Sequence, residues 1–293
     1  MENLNIQVDE VLLIAWFFVL GAVIGSFLNV AVYRLPKGMS LIAPPSHCPA
    51  CKHRIRWFDN IPIVSWFVLR GRCRDCKAAI SARYPLVEAI TAGTFALLTA
   101  VEFTFKGINL PVREIYNTAN VVFLSRTNPE LYLALLYHLL LLCTLLAAAL
   151  IEIDRHRAPR SLFVPAMAIG IIAPLIWPYL RPVPAWASLP DWIGRAVDCA
   201  AGLAAGGLSA YIAWRLERTK SPGGMSWGLL CVGIFLGWQA VGVLAVLIAF
   251  FALFAAALRK HRKKAEYRPF TVWLFTITLG WILAWSQIVN LMK

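Results

Sequence analysis

The chain has 293 residues, of which 60% are hydrophobic and only 15% charged, and its formal net charge is +13. A typical soluble domain carries about 25% charged residues, so this chain has too few polar side chains to cover a water-facing surface. A strongly basic balance points to nucleic acid or to anionic lipid. Here the cations lie mostly in segments between apolar runs, so the bilayer is the expected partner and nucleic acid is not.

The N-terminal run reads as a spanning helix rather than a removed signal. Its first ten residues carry Glu2, Asp9 and Glu10 instead of a basic stretch, and the apolar run after them is long enough to cross. A span needs roughly 20 apolar residues. Runs of that kind fall near 11–33, 84–105, 130–151, 162–180, 192–214, 226–237, 238–258 and 270–291. The sixth and seventh come from one stretch, Trp227 to Leu258, which as a straight helix would be about 48 Å long against a hydrocarbon core of about 30 Å. A turn near Gly237-Trp238 divides it into two, which predicts an all-α polytopic membrane protein of about eight helices.

The positive-inside rule supports that count. With the N-terminus outside, the inner segments 34–83, 152–161, 215–225 and 259–269 hold 10, 3, 3 and 6 Lys or Arg, which is 22 of the 28. Both termini are then expected outside. The chain divides into a first helix (1–33), a cytoplasmic loop (34–83) and a seven-helix region (84–293).

Two C-x2-C pairs lie in that loop, Cys48-Pro-Ala-Cys51 and Cys73-Arg-Asp-Cys76, with 21 residues between them. Each pair offers two thiolates from one tight turn, and four thiolates complete a tetrahedral, closed, structural zinc site. Two disulfides are the other reading, and they require an oxidising compartment. Cys143, Cys199 and Cys231 sit in apolar runs and read as small core residues. The remaining intramembrane ionisable residues, Glu88, His138, Glu152, Asp154 and Asp198, are scattered, with no paired broken segments of the kind that mark a transporter.

The cysteine loop and its flanks resemble the prepilin leader peptidase/N-methyltransferase family. The resemblance is carried by Gly25-Ser-Phe-Leu-Asn-Val-Ala-Val-Tyr-Arg-Leu-Pro36, the first cysteine pair, Asp59-Asn-Ile-Pro-Ile-Val-Ser65, Gly71-Arg-Cys73 and Cys76-Lys-Ala-Ala-Ile-Ser-Ala-Arg-Tyr-Pro-Leu-Val-Glu88. It continues more weakly through Asp198-Cys-Ala-Ala-Gly202, Gly233-Ile-Phe-Leu-Gly-Trp238 and Pro269-Phe270. It implies a bacterial inner-membrane enzyme acting on prepilin and pseudopilin signal helices. Such an enzyme removes the basic leader with two aspartates, then methylates the new N-terminal amine with S-adenosylmethionine. The same resemblance links Gly71 and Arg72 to methyl transfer.

Both catalytic aspartates are replaced here. The first family position, seven residues before Pro159, is Glu152; Asp154 matches only the second acidic position. The Gly-x-Gly-Asp motif becomes Pro222-Gly-Gly-Met225. Aspartyl proteolysis needs two carboxyls, one to activate water and one to protonate the carbonyl, and a thioether does neither. Glu217, eight residues before Met225, is the one acid placed to substitute, and Arg155 or Arg157 is the expected partner of Glu152. The sequence therefore predicts a family member with an impaired protease, retaining at most N-methylation or a binding role in pilus or type II secretion assembly.

Overall fold

The computed structural model describes residues 8–104, 109–110, 129–177, 180, 191–217, 223–259 and 270–291. Among them the long elements are all helices, and β-pairing is confined to two isolated bridges. Six helices are long and apolar enough to cross a membrane, and a seventh, 17 residues long, is apolar but shorter. The protein is an all-α polytopic integral membrane protein. Its described residues fall into two compact units, 8–104 and the remainder.

The first unit is built on α1 (Val8–Arg34) and α3 (Arg83–Thr99), the latter extended by a π-helical turn over Ala100–Thr104. Asp9 and Glu10 stand in the first turn of α1 and Arg34 in its last, the arrangement that complements the helix dipole. The two helices run antiparallel and very close. A Cβ at Gly21 would lie 2.8 Å from the Ala92 backbone, and one at Gly25 would lie 2.7 Å from the Glu88 backbone. Small residues at such crossings let membrane helices gain van der Waals contact where no hydrophobic drive exists.

Between them, residues 38–82 form the cysteine loop, which includes the short helix α2 (Val64–Val68). α2 is entered through a strained turn. Ile63 takes φ 63° and ψ −57°, and the Val64 N–H donates back to the Pro62 carbonyl at 2.6 Å. This is the rarer, positive-φ γ-turn, with a β-branched residue at its centre, a conformation that costs about 1–3 kcal/mol. The Ile63 N–H then donates to the buried Glu88 carboxylate at 2.6 Å.

The second unit packs around α4 (Pro129–Ile153), whose Leu135, Leu141, Leu145 and Ile151 are fully buried. It continues with α5 (Arg160–Ile176), α6 (Asp191–Glu217), α7 (Gly224–Arg259) and α8 (Phe270–Leu291). α4 stops in a Schellman turn: Arg155 adopts φ 59°, its N–H bonds the Glu152 carbonyl, and the His156 N–H bonds that of Ile151. α5 runs on through Pro165 and Pro174 to Ile176, whereas Pro178, Pro182, Pro184 and the 106–129 loop lie mostly outside the described residues.

The expected division near Gly237-Trp238 is present. In α7 two helical segments meet across a kink at Gly237, whose backbone is non-helical (φ 83°, ψ 177°). The sequence located that break between the two segments. α6 and α7 meet at glycines: a Cβ on Gly233 would overlap the Gly202 carbonyl and lie 2.8 Å from the Gly206 backbone. Backbone cannot yield as a side-chain tip can. Gly233→Ala is therefore expected to cost about 1–3 kcal/mol or more, as overpacking does, and to lower the unfolding temperature in detergent. An unchanged transition would show that the α6–α7 crossing is looser than described.

Candidate functional site

Each C-x2-C pair makes the same turn. In the first, the Cys48 N–H bonds the His53 carbonyl, Lys52 N–H bonds Cys48 O, and Ile55 N–H bonds Ser46 O. In the second, Cys73 bonds Ala78, Lys77 bonds Cys73, and Ile80 bonds Gly71. The bridges match too, His47 with Arg54 and Arg72 with Ala79, and Lys52 and Lys77 both take φ near +60° (62° and 61°). The two knuckles are thus an internal structural repeat, which the sequence hid because only the cysteines, the following lysine and a terminal isoleucine coincide.

All four cysteines are free thiols, and their sulfurs lie within 4.8 Å of one another. Sulfurs on a tetrahedron with metal bonds of about 2.3 Å stand roughly 3.8 Å apart, and Cys48 Sγ is 3.8 Å from Cys76 Sγ. Amide donors of Cys51 and then Ala50 pull the Cys48 thiol down to about 6. The His53 amide acts the same way on Cys51, but burial and the three neighbouring sulfurs outweigh it and push that thiol up to about 12. Four sulfurs crowded together resist collecting negative charge, and a central cation removes that resistance. The donor set and spacing fit a tetrahedral metal ion.

Salt links brace the loop. Arg74 grips Asp59 through Nε and Nη2, at 2.6 to 3.0 Å, and Arg56 reaches Asp75 at 3.2 Å. The Arg74 hydrogen bonds hold the Asp59 carboxyl below the usual carboxylate range.

The second cluster lies in the other unit. Glu152, in the last turn of α4, accepts the Gly224 N–H on Oε1 at 3.0 Å and the Thr271 hydroxyl on Oε2 at 2.7 Å. Gly224 opens α7, and its N–H is among the orphan donors of a helix start; Thr271 stands in the first turn of α8. A carboxylate between two helix N-termini is favoured by both dipoles. A Cβ at residue 224 would lie 2.6 Å from Glu152 Oε1, so glycine is what admits the carboxylate. Met225, the next residue, is half-buried.

The chain therefore brings positions 152 and 225 to one place, with a glutamate and a methionine in them. Both Glu152 oxygens accept hydrogen bonds, from Gly224 and Thr271, and of the two expected arginine partners Arg157 adds a charge interaction with it. Asp154 lies in the turn after α4 and does not supply the carboxylate that receives Gly224. Glu217 ends α6, and its side chain lies outside those described. The sequence reading missed Gly224 and Thr271 as partners; a threonine in a helix first turn was the available signal.

The sequence model of the bacterial peptidase A24 N-terminal domain matches residues 19–103. A prepilin leader peptidase/N-methyltransferase of Aeromonas salmonicida is 30% identical over 93% of this chain and 91% of its own length. The chain belongs to the prepilin leader peptidase/N-methyltransferase family. A Myxococcus xanthus protein of the same name is 33% identical over 78% of this chain, a match spanning 58% of that relative. The type 4 prepilin-like proteins leader peptide-processing enzyme of Escherichia coli is 48% identical over 28% of this chain. No solved structure matches.

S-Adenosylmethionine, which family membership implies, does not fit the residues proposed for it. Gly71 is buried at φ 66°, where a Cβ would stand 3.0 Å from the Trp66 ring, so its glycine serves the turn. Arg72 lines a cavity of about 420 Å³ with Val68, Leu69, Arg70, Cys73, Arg74 and Lys77. That lining suits the cofactor's carboxylate but repels its sulfonium and ammonium, and no acidic or aromatic side chain lines it to hold them.

Proposed function

We propose that this chain is a protease-impaired member of the family that binds type IV prepilin-like signal helices in the bacterial inner membrane. Its cysteine loop faces the cytoplasm and is folded by one structural zinc ion. The observation that carries the reading is the state of the Glu152 carboxylate: both oxygens already accept hydrogen bonds from Gly224 and Thr271, and the neighbouring position is Met225. Peptide hydrolysis by paired acids needs one carboxylate poised on water and one carboxylic acid poised on the scissile carbonyl. With one carboxylate engaged as a cap and a thioether beside it, water has no base and the carbonyl no acid. The ten cations of residues 34–83 support the cytoplasmic placement of the loop.

The test is a cleavage assay on the purified protein with a prepilin-type substrate, reading leader removal and N-methylation by mass spectrometry. The wild-type chain is expected to bind the substrate and leave the leader on. The Glu152→Asp/Met225→Asp double variant is expected to gain leader removal, because it returns both carboxyls to the place where 152 and 225 converge. Cleavage by the wild type, abolished by Glu152→Ala, would refute the reading. Transfer of a labelled methyl to a pre-cleaved substrate would make the chain a methyltransferase working through residues other than Gly71 and Arg72.

A further inference from the structure

α1 ends and α3 begins on one face of their antiparallel pair, so the cysteine loop leaves and re-enters at the same membrane boundary. The loop does not stand clear of that boundary. Ile63, the residue before α2, is hydrogen-bonded to Glu88, five residues into α3 and about 7 Å along its axis. Pro62 and Asn60 also share a cavity wall with Ser26, eight residues before the end of α1. The start of α2 therefore lies level with the ends of the spanning helices. At that depth water is scarce and an unpaired backbone N–H is costly, which accounts for a buried carboxylate being spent on the Ile63 N–H.

α2 turns an apolar edge outward: Phe67 is 64% and Val68 69% exposed, and Trp57, just before it in the chain, is 81% exposed. Water would penalise each of these, whereas a membrane interface favours aromatic and aliphatic side chains there. The cationic cavity of about 420 Å³ opens at the C-terminal end of the same helix, with Val68 and Leu69 in its wall. Arg74 is committed to Asp59, and Lys77 Nζ donates to the Arg74 carbonyl. Arg70 and Arg72 are exposed, and neither guanidinium has a partner among the described residues. Two unpaired guanidinium groups match a phosphate bidentately, and the adjoining apolar edge matches acyl chains.

We infer that α2 is an interfacial helix and that the Arg70–Arg72 pocket beside it is a headgroup site for an anionic phospholipid of the bilayer. The site does not depend on whether peptides are cleaved or methylated.

The experiment uses the full chain in nanodiscs of phosphatidylcholine with or without phosphatidylglycerol. Native mass spectrometry counts the lipids retained. Each cation near an anionic surface contributes about fivefold, so Arg70→Gln/Arg72→Gln is expected to weaken phosphatidylglycerol retention roughly 25-fold. Zinc content checks that the variant's loop is folded. Equal retention by wild type and a zinc-loaded variant would overturn the inference, as would displacement of the lipid by millimolar inorganic phosphate, which would make the pocket a site for free anions. A second probe keeps the question open to decision if the double variant loses zinc. Phe67→p-benzoylphenylalanine is expected to photocrosslink to phospholipid, and a crosslink to protein, or none, would sink the interfacial placement of α2.

Discussion

Stripping the metal from the purified protein with a chelator is expected to unfold residues 38–82 while the spanning helices stay intact. One zinc ion per chain is expected before treatment. The effect is large because the loop has almost no core of its own: between 38 and 82 only Cys48, Ser65 and Gly71 are buried. Its ion pairs do little to replace one. The Arg56–Asp75 pair has side chains 51% and 33% exposed, and Arg74 of the other pair is 39% exposed, and such surface pairs contribute about 0–1 kcal/mol each. Zinc bound by a four-ligand peptide site is worth about 10–16 kcal/mol at neutral pH, so the ligand cluster outweighs everything else in the segment. Cys73→Ser is expected to lose the metal and to expose the loop's many Lys and Arg to trypsin. Acid should do the same, because protons compete for the thiolates. A metal-free wild-type loop that resists trypsin would show that the knuckles hold themselves together and that the cysteines have another use.

Glu152→Ala is expected to destabilise the protein without changing any cleavage. The substitution leaves the Gly224 N–H and the Thr271 hydroxyl without their acceptor, and Thr271 is buried. Hydrogen bonds to a charged group contribute about 1.5–3 kcal/mol each, and a buried donor left unpaired adds its own desolvation cost. Both losses fall on the second unit, so a net cost on the order of 3 kcal/mol is expected, with unfolding about 10 °C lower in a detergent melt. Glu152→Gln keeps the shape and an acceptor oxygen, and should lie between alanine and wild type. A catalytic carboxylate gives the opposite pattern, since its removal abolishes turnover and leaves stability unchanged or raised. The two readings of Glu152 are thus separated by one melt and one cleavage assay on the same variants.

Much of the architecture is written in the sequence. Apolar runs of span length and cations gathered between them define a polytopic membrane protein, because the bilayer admits little else. The four cysteines declare their cluster through spacing alone, since two ligands on one tight turn need only local backbone. The motifs from Gly25 to Glu88 carry the resemblance to the family, and the proposed replacement of its two catalytic aspartates by Glu152 and Met225 is read from that resemblance without any coordinates.

What only the tertiary structure decided is where the lone polar groups go. Gly224 and Thr271 are 72 and 119 residues from Glu152 along the chain, and nothing local to any of them specifies the meeting. The same holds for Ile63, whose strained turn is tolerable because Glu88 stands 25 residues away to receive its N–H. Gly237 was legible as a break between two helices, but the backbone direction it takes there was not, because a glycine frees the backbone without fixing its direction. Spacing determines contacts within a turn or two, where the chain itself sets the distance. Contacts across helices depend on which faces pack, and in this protein those faces are chosen by small residues, Gly25 against Glu88 and Gly202 against Gly233, whose meaning appears only when the helices meet.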